Sequence, residues 1–476
     1  MTEAAGLLIE SPRRLAVLAA AIALVTVPAT AAVSPSPSSS GSGAPAADAS
    51  VEAYDGLPTA IQHFQDEAGE DVSFAEAIEL GKLVGEHQAS TLGDGLAVDL
   101  PTIEHDSPSA AVLALADQHD ATLADDDLDQ VRELDTLDEP FRTELTDVID
   151  AFLVLGAAST DSDPGSVFAA RNGLLDEVQD LHRAVQTTPG MPADTASACE
   201  PLVIETPDNP IVGSVGVLAL DVEGCDATYT EDVRLSIDVG GEDTYHNNAG
   251  GTSNLVAIPG VYRLNPAALV DLGDGDDEYG DPAIFDDPTG KRRGGVNGGA
   301  VHSGVGALLD EGGNDTYVGT ASGVNGGANF GGHGFLLDAD GDDTYLADGA
   351  GTNGGVAFGG SGALLDADGH DTYTAGSDGT NGGGLAGAGL LVDLDGNDRY
   401  EATVTAVNGH ATDGNYDSLV TDQYVPVGVG LLYDGNGTDT YEDFEGGTGT
   451  DKTVVPKGLV GAQLDHDRPT PGGTSP

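Results

Sequence analysis

The 476-residue chain is poor in basic side chains. Lysine and arginine together number 16, against 81 aspartates and glutamates, so the formal charge is −65. Lysine itself occurs only at Lys82, Lys291, Lys452 and Lys457. Because proteins bind nucleic-acid phosphates by neutralising them with lysine and arginine, this deficit predicts that the protein does not bind nucleic acid.

The same imbalance resembles that of proteins from extreme halophiles. At ordinary ionic strength, repulsion among so many carboxylates disfavours the compact state, whereas molar salt shortens the Debye length to about 3 Å and screens them. We therefore expect a protein adapted to high salt, which loosens or unfolds on dilution.

Cysteine is also scarce, since Cys199 and Cys225 are the only two. Two cysteines cannot form a zinc site unaided. In an exported chain they predict a disulfide that closes a loop at the entry to the repeats described below. The sequence also lacks a Gly-x-Ser-x-Gly elbow, a His-Glu-x-x-His helix and a phosphate-binding loop. It therefore carries no motif of an α/β-hydrolase, a zinc metalloprotease or a P-loop nucleotide-binding protein.

The N-terminus has the pattern of a secretory signal. Arg13 and Arg14 precede an apolar run over residues 15–27, and an Ala-x-Ala site follows, so residues 1–32 are predicted to be a signal peptide. The run is too short to span a membrane, and the paired arginines leave both the general and the twin-arginine export routes open. We expect a secreted or cell-surface protein that is not an integral membrane protein after signal removal.

The remaining segments differ in composition. Residues 33–50 are rich in Ser, Pro, Gly and Ala and predict a flexible linker, and residues 467–476 predict a disordered tail. Residues 51–189 show helical periodicity, for example over 166–185, and predict a small α-helical bundle that caps the N-terminal end of the repeats. Residues 190–214 are a connector.

A 28-residue period governs the C-terminal half. Five asparagines recur at intervals of 28, 28, 28 and 27 residues: Asn297, Asn325, Asn353, Asn381 and Asn408. Such a period indicates one unit stacked on copies of itself. We interpret the asparagines as a structural ladder, because Asn tolerates a left-handed bend and its amide can bond to the next Asn.

A second string, an apolar segment ending in Asp with Tyr seven residues later, recurs between the asparagines. The array covers residues 215–466, and the fold class is predicted as α + β, with the helical bundle followed by a parallel β-helix or β-roll. The residues one and three before each Asp are apolar, so we expect both to face the core of the array. The recurring tyrosines predict a packed column, with a sugar-binding platform as the alternative.

The turn after each strand is acidic and contains glycine. Stacking would bring equivalent carboxylates to the strand spacing of about 4.8 Å, where they repel. A divalent cation such as Ca²⁺ between repeats would offset this repulsion, as would concentrated monovalent salt. The alternative is that the side chains only cap turn amides and stay solvated. The candidate ligands from this pattern are Asp310, Asp338, Asp340, Asp343, Asp366, Asp368, Asp371, Asp393, Asp395 and Asp398.

Two segments resemble a known calcium-binding repeat. Residues 273–279 (GDGDDEY) and 435–441 (GNGTDTY) match the G-x-G-x-D-x-large core of RTX, or hemolysin-type, repeats. The resemblance implies Ca²⁺ bound between adjacent turns, with Asp277, Asp315, Asp343, Asp371, Asp398 and Asp439 as ligands. The chain departs from that family in its period, since RTX repeats recur about every nine residues.

Nearly identical repeats favour a non-enzymatic extracellular protein that binds partners such as cell-envelope glycans or surface proteins. The alternative is a carbohydrate-active β-helix enzyme, a polysaccharide hydrolase or lyase. A glycosidase needs two carboxylates at a defined separation, which this many aspartates neither exclude nor locate. The basic cluster Lys291, Arg292 and Arg293 is where we would look for specificity.

Overall fold

The computed structural model describes the chain in segments. They are residues 56–68, 72–92, 99–119, 121, 123–160, 163–188, 201–205, 216–222, 224–252, 254–255, 265–280, 293–376, 381–385, 387–402, 408–409, 411–412, 428–443, 448–449, 455–456 and 461–465. The predicted signal peptide, linker and tail lie outside these residues, as do Cys199, Lys291 and Arg292. Cys225 is buried, and its disulfide with Cys199 stays a prediction.

The protein is α + β, and its described N-terminal part is helical. Six α-helices occur: α1 (Leu57–Ala68), α2 (Phe74–Leu92), α3 (Pro108–Gln118), α4 (Asp125–Glu133), α5 (Phe141–Ser159) and α6 (Pro164–Thr187), with a 3₁₀ turn at Leu134–Thr136. Helix α6 begins where the Asp163 carboxylate accepts the N–H groups of Gly165 and Ser166 and a proline occupies the first turn. The apolar stripe from Phe141 to Phe152 on α5 is buried, as its periodicity predicts.

The C-terminal part is a set of mostly parallel sheets. The long sheet has 11 strands, in the order Leu202–Glu205, Gly216–Leu220, Val233–Asp238, Ala267–Asp271, Val305–Leu309, Gly332–Asp338, Gly360–Asp366, Ala388–Asp395, Val429–Asn436, Gly461–Asp465 and Val455–Pro456. Its first and last pairs are antiparallel, and all the pairs between them are parallel. The strand Leu202–Glu205 lies in the segment predicted as a connector.

Two further parallel sheets follow the same order. The tyrosine sheet contains Thr228–Tyr229, Thr244–Tyr245, Glu278–Tyr279, Thr316–Gly319, Thr344–Ala347, Thr372–Ala375, Arg399–Ala402 and Thr440–Asp443, with Thr448–Gly449 antiparallel at its end. The short sheet contains Ala300–Val301, Ala328–Asn329, Val356–Ala357, Gly384–Leu385 and Ala411–Thr412. Asn254–Leu255 and Arg293–Gly294 form a separate antiparallel pair.

The 28-residue period sets the register. Leu308 pairs with Leu336 and Leu336 with Leu364, so identical residues of successive repeats lie side by side. The tyrosine rings stack accordingly, with 4.7 Å between the ring centroids of Tyr317 and Tyr345 and an angle of 3° between their planes. Each full repeat therefore contributes one strand to each of the three sheets.

The two faces of the long sheet have different neighbours, which refines the predicted burial pattern. Residues one and three before the Asp, such as Phe335 and Leu337, pack in one cluster with the helices. The residue between them, such as Leu336, packs instead against the stacked tyrosines, in the space between the long and tyrosine sheets. Both outer positions are buried in a hydrophobic core, as predicted, but the helical layer completes that core, and the position between them faces the space between the sheets.

The helices lie along the long sheet. The prediction that they cap the N-terminal end of the repeats is therefore wrong. The Gln88 amide on α2 donates to the Gly362 carbonyl at 3.1 Å, and the Gln65 amide on α1 donates to the Leu394 carbonyl at 2.6 Å. The Arg171 guanidinium on α6 lies 4.3 Å from the centroid of the Phe335 ring. The helical layer thus covers the apolar outer face of the repeats.

Candidate cation site

Two buried columns of aspartate follow the repeats. The first, here called the strand column, consists of seven aspartates, each within two residues of the end of a long-sheet strand. Its members are Asp238, Asp271, Asp310, Asp338, Asp366, Asp393 and Asp434, each no more than 1% exposed. They share the face of Leu308 and Leu336, since alternate side chains of a strand point the same way, and so lie between the sheets.

The second column, here called the turn column, lies five or six residues further along, two residues before each tyrosine. Its members are Asp243, Asp277, Asp315, Asp343, Asp371, Asp398 and Asp439, each no more than 5% exposed. A glycine two residues earlier makes the turn possible: Gly341 has φ +145°, and a Cβ there would lie 1.6 Å from the carbonyl oxygen of Gly313 in the preceding repeat. Only glycine fits this approach.

Each turn-column carboxyl uses one oxygen to join two repeats. The backbone N–H of Asp315 donates to Oδ1 of Asp343 at 2.6 Å, and the N–H of Asp343 donates to Oδ1 of Asp371 at 2.6 Å. The other oxygen, Oδ2, is buried without a hydrogen-bond partner at Asp243, Asp315, Asp343, Asp371 and Asp398. The predicted capping of turn amides therefore occurs, but with buried carboxyls instead of solvated ones.

The strand column contacts the tyrosine hydroxyls. Tyr345 Oη lies 2.8 Å from Oδ2 of Asp338 and 2.9 Å from Oδ2 of Asp366, and Tyr373 Oη lies 2.7 and 2.9 Å from Oδ2 of Asp366 and Asp393. Their second oxygen, Oδ1, accepts no hydrogen bond from an N–H or hydroxyl donor at Asp271, Asp338, Asp366 and Asp393. Turn-column carboxyls lie within hydrogen-bond reach of Asp271, Asp338 and Asp393.

The short contacts between tyrosine hydroxyls and strand-column carboxyls outnumber the hydroxyl hydrogens that could form hydrogen bonds there. A phenol carries one hydrogen, so Tyr345 can donate to only one of the two carboxyl oxygens that it touches. The second short contact requires a proton on the carboxyl, or a cation that offsets the repulsion. Ionised and unneutralised carboxylates cannot fill this column.

Burial raises the pKa of the columns. It is the main cause at every member with a shift, and neighbouring aspartates raise the pKa further at most of them. The pKa reaches about 6 at Asp271, about 7 at Asp393 and about 9 at Asp315. The described ion pairs of the array use the outer residues Glu278, Glu311, Glu401 and Glu442 instead. From Asp310 to Asp398 no described basic side chain pairs with either column.

The two columns come together in groups that can hold a metal ion. One oxygen from each carboxyl lies within 4.8 Å of the others in the groups Asp238/Asp243/Asp271, Asp310/Asp315/Asp338, Asp343/Asp366/Asp371 and Asp371/Asp393/Asp398. The unpartnered, buried oxygens fit a cation, because a bound ion would replace the hydrogen bonds that they lack.

The predicted candidates divide into two sets. Of the 13 residues, 10 belong to the strand or turn column. The other three do not, since Asp340 is exposed and Asp368 and Asp395 are half-buried on the outer side of the turn. The Asp395 carboxylate accepts a hydrogen bond from the Asn436 amide at 3.0 Å.

Sequence reasoning left out four column members, Asp238, Asp243, Asp271 and Asp434. Their signal was present, because each precedes a tyrosine of the same string by seven or eight residues in the strand column, or by two in the turn column. It also assigned no site role to the tyrosine hydroxyls, which the stacking of the rings alone does not reveal.

The asparagines form a separate column at a bend. The Asn325 amide donates to Oδ1 of Asn353 at 2.9 Å, and the Asn353 amide donates to Oδ1 of Asn381 at 2.9 Å. The column extends to Asn297 and Asn408, and all five are fully buried. Asn353 has φ +45°, in the left-handed region that Asn tolerates. This column contributes hydrogen bonds and offers no charge to a ligand.

Comparison of the chain with protein-family models, with curated proteins and with solved structures finds no match. Among the described helices, none combines the length and the apolar character needed to cross a membrane.

Proposed function

We propose that this is a secreted, non-enzymatic structural or binding protein whose repeats form a parallel β-helix that depends on bound Ca²⁺. The single observation that carries the proposal is the double column of buried aspartates with unpartnered oxygens. The β-helix is supported by three sheets that receive one strand each from every full repeat, in the same order.

The geometry of the oxygen groups favours Ca²⁺. Ca²⁺ binds oxygen at 2.3–2.6 Å, so two ligands on opposite sides of one ion lie about 5 Å apart. Oxygens within 4.8 Å of one another satisfy this limit. The groups contain carboxylates only, the donor type that hard cations prefer, and Mg²⁺ retains water that such buried positions do not favour.

Two features support a non-enzymatic role: the carboxyl groups are inaccessible to a large substrate, and the same group recurs along the repeats. The grouped carboxyls are at most 5% exposed, so a polysaccharide chain cannot reach them as a glycosidase requires. The same group recurs along successive repeats, which suits a role in stability along the whole array better than a single reaction centre.

An extracellular location follows from the N-terminal pattern of residues 1–32, and a saline environment follows from the charge of −65. We propose cell-envelope glycans or surface proteins as partners, because an extended stack of like repeats offers many equivalent weak contacts. In such a protein the cation would keep the repeats together outside the cell.

Calorimetric titration of chelator-treated protein with Ca²⁺ at constant molar KCl tests the cation dependence. We expect saturable heat and a higher melting temperature, while additional KCl reproduces neither. Absence of both signals removes Ca²⁺ from the proposal. Incubation with a panel of polysaccharides tests the second part, since any new reducing end or unsaturated product would show an enzyme.

A further inference from the structure

Three aromatic side chains stack at one corner of the array, away from the aspartate columns. His302, Phe330 and Phe358 each follow directly after a strand of the short sheet. The ring centroids lie 5.0 Å apart between His302 and Phe330 and 5.2 Å apart between Phe330 and Phe358. The ring planes differ by 8° and 10°. We call these three residues the aromatic stripe.

The stripe has an unfavourable backbone conformation. The φ angles are +52° at His302, +50° at Phe330 and +61° at Phe358. Bulky side chains rarely adopt this left-handed region, where glycine or asparagine would be free of strain. Residues held in such conformations often serve a function that local stability does not explain.

The two phenylalanines of the stripe are also exposed, and His302 is half-buried. Phe330 is 50% exposed and Phe358 is 41% exposed, and the only other large hydrophobic side chain so exposed in the described residues is the isolated Leu113 on α3. Adjacent exposed aromatic rings indicate an interaction surface more strongly than a single exposed leucine does.

The segments that carry the stripe contain no charged side chain. Residues 297–306, 325–334 and 353–362 have no Asp, Glu, Lys or Arg, although the chain as a whole carries 81 acidic residues. The acidic turns lie at a different corner, between the long and tyrosine sheets. Within these three segments the stripe is therefore an apolar strip without charged side chains, on a strongly anionic protein.

We propose that the aromatic stripe is a self-association surface, at which two copies of this chain meet side by side. Two chains of charge −65 repel each other except where their surfaces carry no carboxylates, which favours this corner. The ring spacing is set by the strand spacing, so a second copy presents aromatic edges at the same interval. A two-fold axis would place the stripe against itself.

In the part of the chain that the structure describes, the stripe spans three repeats, and three aromatic side chains alone bury less than the roughly 1,200–2,000 Å² of a stable complex. We therefore expect weak, concentration-dependent dimerisation that strengthens as salt screens the two chains. This inference does not depend on the bound cation.

Sedimentation velocity of the full chain in molar KCl tests the proposal. The wild type should show a dimer fraction that rises with protein and salt concentration. The double variant F330N/F358N should weaken association by at least about tenfold, since Asn tolerates the backbone but removes the rings. The variant L113N, which removes the isolated exposed leucine, should associate like the wild type.

A wild type that stays monomeric at all protein and salt concentrations overturns the proposal, as does a double variant that dimerises like the wild type. If the wild type is monomeric but retains a neutral polysaccharide that F330N/F358N does not, the stripe binds glycan and the proposal is also overturned. Should F330N/F358N fail to fold, F330G/F358G provides the same test.

Discussion

Oδ1 of Asp343 accepts the backbone N–H of Asp315 at 2.6 Å, across the boundary between two repeats, while Oδ2 of the same carboxyl has no hydrogen-bond partner. One oxygen is thus part of the backbone scaffold, and the other is available to a cation or a proton. An Asn at this position keeps the acceptor and removes the charge, so substitution separates the two roles.

Asp343→Asn should stabilise the metal-free protein and weaken its response to Ca²⁺. At neutral pH the metal-free protein must protonate Asp343 in order to bury it among Asp338, Asp366 and Asp371, whereas Asn needs no proton. We therefore expect a gain of about 1–3 kcal/mol in the free energy of unfolding without metal. Urea unfolding with and without Ca²⁺, at constant KCl, measures both effects.

Asp342→Asn is the matched control, because Asp342 is adjacent, exposed, and accepts the N–H of His370 through an oxygen that Asn retains. It should leave both the stability and the Ca²⁺ response unchanged. Equal responses of the two variants to Ca²⁺ would contradict a buried binding site.

The stability of the metal-free protein should fall as the pH rises. Burial raises the pKa of Asp271 to about 6, of Asp393 to about 7, of Asp243 to about 8 and of Asp315 to about 9. The folded state therefore holds more protons than the unfolded state, in which Asp titrates near pH 4. The stabilisation contributed by the protonated aspartates is complete below about pH 4 and is lost as the pH rises through their folded-state pKa values of about 6–9.

Urea unfolding in molar KCl without divalent ions checks this dependence. Each excess proton in the folded state lowers the free energy of unfolding by about 1.4 kcal/mol per pH unit. Saturating Ca²⁺ should flatten the profile, because the ion replaces the protons. If the free energy of unfolding instead rises between pH 6 and pH 9, the column aspartates ionise in the folded protein without destabilising it, and the prediction is wrong.

Gly341→Ala should destabilise the array severely. The new Cβ would meet the Gly313 carbonyl oxygen at 1.6 Å, and the φ of +145° is strained for any residue with a Cβ. We expect a loss of more than about 3 kcal/mol or no folding. Gly173→Ala on α6 is the control, since no atom lies within 4 Å of its added Cβ, and it should be neutral or stabilise by up to about 1 kcal/mol. Thermal unfolding followed by circular dichroism compares the two.

Asn353 should contribute through both its backbone and its amide. Asn353→Ala loses the hydrogen bonds with Asn325 and Asn381 and leaves Ala at φ +45°, for a cost of about 2–4 kcal/mol. Asn353→Gly keeps the favourable backbone and should cost less. Chemical denaturation of both variants separates the contributions, and equal losses would assign the whole effect to the hydrogen bonds.

The period made much of this architecture predictable. Because Asn325 and Asn353 are 28 residues apart, the sequence alone indicated that like residues stack, and Leu336 pairs with Leu364 accordingly. The helices were predictable from the apolar stripe of α5. Their position was not, since no local pattern shows that Leu337 packs under α-helices while Leu336 packs against tyrosines.

The sequence predicted the type of residue that forms the candidate site, but it identified only some of the residues that belong to it. The spacing from Asp338 to Tyr345 identified the strand column, but the sequence did not distinguish Asp343, which is buried, from Asp340, which is exposed. That difference depends on which way the turn at Gly341 directs each side chain. The Tyr345 contacts with Asp338 and Asp366 depend on the distance between two sheets, which no spacing along one chain provides.

Both ends of the long sheet finish on reversed strands, Leu202–Glu205 at one end and Val455–Pro456 at the other. A free parallel edge would template the next copy and allow growth into fibres. Here the terminal strands run against the direction of the stack, so a neighbouring molecule cannot continue the parallel order. The two reversed strands therefore stop the long sheet at the repeats that one polypeptide contributes.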